Sequence, residues 1–544
     1  MSTSEFPASG YRGRRPSALA GARAISVDMW ILAALIVLAA AIRIITLDNQ
    51  SLWTDEALTA YEASLPFGSM LHAVVRVETT PPLYFVLIWG WAKVFGTGAV
   101  ALRSVSAISG VAIVPIAYAS ARELLSRRAG VLAAAFVAVN PFMIWYSQEA
   151  RSYMLVGALT GASFLFFARA VADPDRPHPS RRNLVWWAGL SALAVMSHFF
   201  AGFAVAPEAV WLLWRWRTRA VALAVAVVAA AQLAVLPFAL LDTTGSYGVG
   251  WIAKVPLANR VATTVIEWGA SNLYRRTIAP GGLAIGAALA IAVALLVIFG
   301  GDRRTRRGAG VAAAIAAFVF AAPIALGLVG QDYFLSRNEI PAFVPVVTVL
   351  AAACVAPRAR GPGAALAAAL LAAFCFTAIE VQTHPYLERA DWRSVARSLG
   401  PAVQPRAILA ADGTTADPLK IYLPGVSWTQ PHDRRVRVSE LDVVGATKRM
   451  RLAAPSGLRD VSIGPGATSL STLRRARAGA PVPRSVAPPG ATLLARFRIH
   501  NWIVARFRLS RPELVSVDSL IRAASRFFRR TPAALLIFMQ PRAH

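Results

Sequence analysis

Five short stretches combine ionisable and aromatic residues in ways that could do chemistry. SLWTDEALTAYEA, residues 51–63, carries the adjacent carboxylates Asp55 and Glu56. A carboxylate can take a proton from a hydroxyl. An acid pair at a helix start is also explained by the helix dipole alone. ETTPPLYF, residues 78–85, holds two prolines that cannot continue a preceding helix, so they mark a new start with Tyr84 just inside it. NPFMIWYSQEARSYM, residues 140–154, places Tyr146, Glu149 and Arg151 where an apolar helix begins. Ionisable groups at that depth line a cavity or pair with each other, so a Glu149–Arg151 ion pair is the alternative to a site. SHFFAG contains His198, which at a turn serves as a polar cap or a catalyst, and DYFLSRNEIPAF contains Arg337. A lone arginine there can snorkel to headgroups or hold an anionic phosphate.

The elements that position these residues are apolar. The 544-residue chain has 56 Lys+Arg against 28 Asp+Glu, a formal charge of +28, yet is 56% hydrophobic and 15% charged, with mean hydropathy +0.52. Soluble domains are about 25% charged, so this composition excludes an ordinary soluble nucleic-acid binder and a disordered chain. Two cysteines, Cys354 and Cys375, exclude a disulfide scaffold or a cysteine-ligated zinc site. The pattern predicts an α-helical polytopic membrane protein.

Spans fall near 29–46, 99–121, 129–145, 152–171, 184–200, 201–216, 219–241, 282–300, 309–330, 339–356 and 363–382, about eleven in all. Arg-rich loops at 122–128, 173–182, 215–219, 303–307 and 358–360 are cytoplasmic by the positive-inside rule. Residues 1–28 form a cytoplasmic tail, 29–382 the transmembrane domain with an outer loop at 47–98, and 383–544 an extracytoplasmic α/β domain. Residues 82–96 are apolar enough to cross, but a crossing would invert every later Arg-rich loop, so they read as a helix at the outer interface. In the last domain, 406–412, 491–509 and 534–540 read as strands and 513–530 as helical. It holds 24 Arg and 2 Lys against 10 Asp and Glu.

Taken in order, SLWTDEA, ETTPPLY, ALRSVSAISG (101–110) and NPFMIWYSQEARSY resemble the family 39-like branch of the GT-C membrane glycosyltransferases, which includes protein O-mannosyltransferases and lipid A aminoarabinose transferases. The resemblance covers residues 30–200 best; LSRNEIPAFVP is similar to a later outer motif, with Asn338 in place of a Tyr, and Thr80 stands where a His often precedes the prolines. It implies a GT-C fold and inverting transfer of a sugar, mannose among the candidates, from a polyprenyl-phosphate donor to an acceptor hydroxyl on a protein, glycolipid or polysaccharide. Asp55 is then the base, supported by Glu56, with Glu149 at the second acidic position. Arg103, Arg151 and Arg337 suit the lipid phosphate, with Tyr84, Tyr146 and His198 near the donor. Asp55 and Glu149 could also hold a divalent cation such as Mg or Mn. The partners implied are the donor, the acceptor and membrane lipids, with no nucleic acid. Two other classes compete: a transporter or flippase of a lipid-linked sugar, and a non-catalytic envelope assembly protein using the basic outer domain.

Overall fold

The computed structural model describes residues 27–78, 80–242, 249–271, 279–383, 389–402, 404–411, 417–423, 427–428, 435–446, 490–499, 502–516, 518–520, 527–528 and 535–540. Most of the tail expected at 1–28 lies outside them.

The helices are α1 (Val27–Ile44), α2 (Thr54–Ser64), α3 (Phe67–Val77), α4 (Leu83–Phe95), α5 (Ala99–Leu124), α6 (Arg127–Val139), α7 (Pro141–Ser147), α8 (Tyr153–Val171), α9 (Arg181–Ser197), α10 (Ala201–Arg215), α11 (Arg219–Asp242), α12 (Leu257–Ala270), α13 (Ala279–Leu295), α14 (Arg303–Leu328), α15 (Phe343–Cys354), α16 (Arg360–Thr383), α17 (Trp392–Leu399) and α18 (Leu419–Tyr422). The chain is a multi-pass membrane protein. Each of the eleven expected segments is helical, but among the described residues only seven helices are long and apolar enough to cross, or eight with the bent α6–α7 pair. The other three expected spans fall on α9, α10 and α15. Helices α9, α10 and α15 have 17, 15 and 12 residues. At 1.5 Å per residue they fall short of a hydrocarbon core of about 30 Å.

The Arg-rich loops meet at one end of the bundle. Arg304 donates to the Glu123 carbonyl at 3.3 Å, Arg307 to Val171 at 3.1 Å, Arg215 to Pro174 at 2.7 Å and Arg358 to Gly301 at 3.2 Å. The opposite end holds the polar motifs. Helix α1 arrives there and α5 departs from there, because Arg103 of α5 reaches the Leu47 and Ser51 carbonyls that follow α1. Helix α4 therefore begins and ends at the motif end and does not cross. Its 13 residues span about 20 Å.

The bend between α6 and α7 measures 57°. Asn140 caps α7 by accepting from the Met143 N–H at 3.0 Å. Pro141 cannot supply the N–H that would continue α6. The carbonyls freed at the break find a donor in the buried Arg43 of α1, which reaches Val137 and Ala138 at 2.9 Å and the Ser147 hydroxyl at 3.1 Å. Gly110 of α5 lets this knot close, since a Cβ there would lie 2.1 Å from Ser147 Oγ.

Beyond α16 the strands β1 (Arg406–Ala411), β2 (Ser427–Trp428), β3 (Arg435–Ala446), β4 (Ala491–Ile499), β5 (Trp502–Ser516) and β6 (Leu535–Gln540) form one sheet in the order β2-β6-β1-β3-β5-β4. Only β1 and β3 run parallel. Helix α17 covers one face, packing Trp392, Val395 and Leu399 on Ile408, Val444 and Val504; Phe527 and Phe528 cover the other. The helix expected at 513–530 begins instead as strand. Arg435, Val436, Arg437 and Val438 of β3 pair with β5 as far as Ser516, and residues 521–526 lie outside the described set.

Gly110→Ala is expected to cost about 1–3 kcal/mol through overpacking. It should lower the melting temperature of the detergent-purified protein, while Gly189→Ala, with open space at its Cβ, should not.

Candidate active site

The site is assembled from the first turn of α2, the α7–α8 junction, the loop before α15 and the strand-like segment after α16. Asp55 and Glu56 occupy the first turn of α2, where the helix dipole favours carboxylates. They point to different surroundings.

Glu56 is fully buried. It accepts from Arg103 at 2.7 and 2.6 Å, from the Ala150 N–H at 2.9 Å and from the Trp53 N–H at 3.2 Å. Burial opposes its charge, but the Arg103 fork and the Ala150 amide outweigh this and hold the carboxyl below its ordinary value. Arg103 also donates to the carbonyls of Leu47, Gln50 and Ser51 at 2.7, 2.8 and 2.9 Å. Its five N–H groups are all engaged. Arg103 therefore has no N–H left over for a further acceptor, and Glu56, held by four hydrogen bonds, anchors the start of α2 that presents Asp55.

Asp55 is the accessible acid. Its side chain is 30% exposed, and Oδ2 lies 3.8 Å from Nη1 of Arg337, which is 24% exposed. Arg337 stands over the Tyr153 ring at 5.5 Å, and its Nε is buried without a protein partner. Burial disfavours its charge; Tyr153, Asp55, Tyr146 and Glu149 outweigh that and raise its pKa. The loop carrying Arg337 is pinned to α12. Arg260 forks onto Asp332 and donates to the Phe334 carbonyl at 3.0 Å, and Trp268 donates to the Ser336 carbonyl at 3.1 Å. The Asn338 amide closes the loop on the Tyr333 carbonyl at 2.9 Å.

Glu149 and Arg151 do not pair with each other, which corrects the simplest reading of that motif. Arg151 forks onto Glu78 at 2.7 and 2.6 Å and touches Thr59 at 3.4 Å. Neutralised in this way and buried, it is a poor partner for a lipid phosphate. Glu149 accepts from Arg389 at 2.8 Å, and its Oε1 is buried without a partner. Burial raises its pKa, Arg389 opposes the rise, Glu56 adds to it, Arg337 opposes it and Asp55 adds to it; the net direction is up. Tyr146, Tyr153 and His198 form an aromatic wall, with ring centroids 5.4 and 5.8 Å apart in sequence. His198 accepts the Phe200 N–H at Nδ1, and burial, then Arg337 and Arg151, push its pKa down to about 3. Its Nδ1 caps the turn that follows α9. Tyr84 is fully buried with an unpartnered hydroxyl.

Sequence reasoning missed three residues. Glu78 lies inside the ETTPPLYF motif and was passed over for the prolines. Arg389 directly precedes ADWRSVARSL and has no local signal. Glu62, on the same face of α2 as Asp55 and Thr59, is buried with both oxygens unpartnered. Burial and then Glu78 push its pKa up to about 9, against Arg151.

Asp55 and Glu149 each face a guanidinium, and no three His, Cys, Asp or Glu side chains converge among the described residues.

An apolar groove of about 720 Å³ opens between α12, α13, α14, α15 and α16, and Trp268 in its lining is the residue that holds Ser336, next to Arg337. Trp268 and Phe343 line its motif end and Ile298 and Arg306 its far end.

The chain is similar to ArnT from Cupriavidus metallidurans in the apo state, with TM-score 0.50, 12% identity, 88% of this chain covered and 98% of that one. The same protein bound to undecaprenyl phosphate matches at TM-score 0.48, with 12% identity and coverage of 88% and 98%. The Pmt1–Pmt2 complex of Saccharomyces cerevisiae bound to the sugar donor matches at TM-score 0.33, with 19% identity over 41% of this chain and 33% of that one. Residues 79–241 match the protein-family model described as dolichyl-phosphate-mannose-protein mannosyltransferase. No curated protein sequence matches the chain.

Glu62→Gln tests the buried neutral acid. A carboxyl whose folded pKa is raised contributes stability below its unfolded pKa and loses it as pH rises toward about 9. The wild type should therefore lose melting temperature between about pH 5 and pH 9 more steeply than the Gln variant.

Proposed function

We propose that the chain is an inverting glycosyltransferase. It moves a sugar from a polyprenyl-phosphate donor to an acceptor hydroxyl at the outer face of the membrane. The observation that carries this reading is the partly exposed Asp55–Arg337 pair, whose Arg337 lies on a loop tied by Trp268 to an apolar groove that runs toward the opposite end of the bundle. A donor with an isoprenoid tail needs both features together. Trp268 lines the groove and also holds the loop that carries Arg337, so phosphate and tail would be met by adjacent parts of one structure.

In the reaction, Asp55 takes the acceptor hydroxyl's proton as the new bond to the anomeric carbon forms. The bond from that carbon to the phosphate oxygen breaks on the opposite side through an oxocarbenium-like transition state. Its electron pair leaves on the phosphate, where Arg337 donates to the growing negative charge. The family match over residues 79–241 supports mannose as the sugar. With the Arg-rich end cytoplasmic by the positive-inside rule, the N-terminus lies inside and the sheet domain outside.

Purified protein in nanodiscs, given radiolabelled polyprenyl-phosphate mannose and a membrane-derived acceptor, tests the reading. Asp55→Asn should lower kcat by about 100-fold or more, and wild-type labelling in a folded Asp55→Asn would sink the base assignment. Arg337→Lys should retain more activity than Arg337→Ala. Ala313→Phe in the groove should raise KM for a long-chain donor more than for a short-chain analogue. A reporter fused within the 173–182 loop should be active only in the cytoplasm; periplasmic activity would invert the orientation.

A further inference from the structure

Arg389 belongs to the segment that leads from α16 into the sheet domain, more than two hundred residues from the groups it touches. Its backbone N–H donates to Gln50 Oε1 at 3.2 Å. Its guanidinium lies 4.2 Å from the Trp145 ring centroid and donates to the Gln148 carbonyl at 3.2 Å, the Trp145 carbonyl at 3.4 Å and Glu149 Oε2 at 2.8 Å. The pair is sealed, with side chains 5% and 2% exposed. Neighbouring contacts fasten the same segment. Asp391 accepts from Ser51 at 2.9 Å, Arg393 forks onto Asp48, and the Tyr422 hydroxyl accepts the Leu52 N–H at 2.8 Å. The sheet domain thus grips both the loop before Asp55 and the residues around Glu149.

We infer that Arg389 is a positioning residue of the transfer site: its guanidinium holds Glu149 by Oε2 and leaves Oε1 to accept a hydrogen bond from a sugar or acceptor hydroxyl. The inference rests on the proposed transfer reaction for the role of Oε1, but not for the charge of the pair. The groups facing Glu149 are Glu56 and Asp55 from α2, Tyr84 from α4, Tyr146 from α7, Tyr153 from α8, Arg337 from the loop before α15, and Arg389. Among these groups the two arginines favour its ionised form, and Arg389 is the one that hydrogen-bonds the carboxylate among the described residues. Removing Arg389 leaves a buried carboxyl with two neighbouring acids and one more distant cation, which raises its affinity for a proton.

Infrared difference spectroscopy of the full-length protein in nanodiscs reads this directly. The protonated-carboxyl stretch that disappears in Glu149→Gln is titrated against pH. In Arg389→Gln its midpoint is expected to move up by about 1 to 3 pH units. Arg389→Lys, which keeps the charge but loses the planar fork, should move it less. An unchanged midpoint in folded Arg389→Gln would overturn the inference. Should Arg389→Gln melt too low to titrate, adding Glu149→Gln is expected to restore the melting temperature, and failure to do so overturns the pairing. In the transfer assay, the acid limb of the pH profile should rise with the infrared midpoint, with a lower kcat and partial rescue in Arg389→Lys. If the wild type transfers no sugar, the functional reading fails while the infrared titration still decides the role of Arg389.

Discussion

Arg103 donates all five of its N–H groups inside the protein, two to Glu56 and three to the carbonyls of Leu47, Gln50 and Ser51. Those carbonyls belong to a connection with no regular ladder to pair them, and buried backbone acceptors need partners. Glu56 in turn closes the start of α2 and ties it to Ala150 at the foot of α8. One buried ion pair therefore sets three things: the path of the chain out of α1, the start of α2 that presents Asp55, and the distance between α2 and the α7–α8 junction. Removing either partner would strand a charge in a sealed position, at about 3–5 kcal/mol.

Around this knot the acids divide by surroundings. Glu56 and Glu78 are each held by an arginine fork. Glu62 has no partner and is kept neutral by burial. Glu149 is held on one side only, and Asp55 faces Arg337 at a looser distance with partial exposure. A group that must accept a proton from an incoming hydroxyl cannot already be saturated with hydrogen bonds, and Asp55 is the one of these five with room to act. The orphaned Arg337 Nε, Glu149 Oε1 and Tyr84 hydroxyl are the sort of unsatisfied buried groups that native structures reserve for ligands or waters.

Much of the bundle was legible because apolar length and Arg-rich loops are local signals. Every expected span coincides with a helix, and strands lie near 406, 491 and 535 as expected. Helices α9, α10 and α15 are short, and 513–516, expected as helix, pair as strand with β3. Asp55, Glu149 and Arg337 were legible as types at helix ends. Their partners were not: Arg103 reaches back 47 residues to Glu56, Arg151 reaches 73 to Glu78 and Arg389 reaches 240 to Glu149. Local pattern carries no record of such pairings. A cation's availability depends on acids that the fold brings to it, as at Arg103 and Arg151.

The long reach of these pairs has a consequence for biosynthesis. Chains emerge from the ribosome N-terminus first, so the segment holding Asp55 and Glu56 is made before α5 exists to bring Arg103. Glu149 waits longer still, through the synthesis of α8 to α16, before Arg389 arrives. The finished set of ion pairs is therefore a late product of maturation, and a nascent chain stalled before α16 would carry a bundle with Glu149 still lacking its arginine.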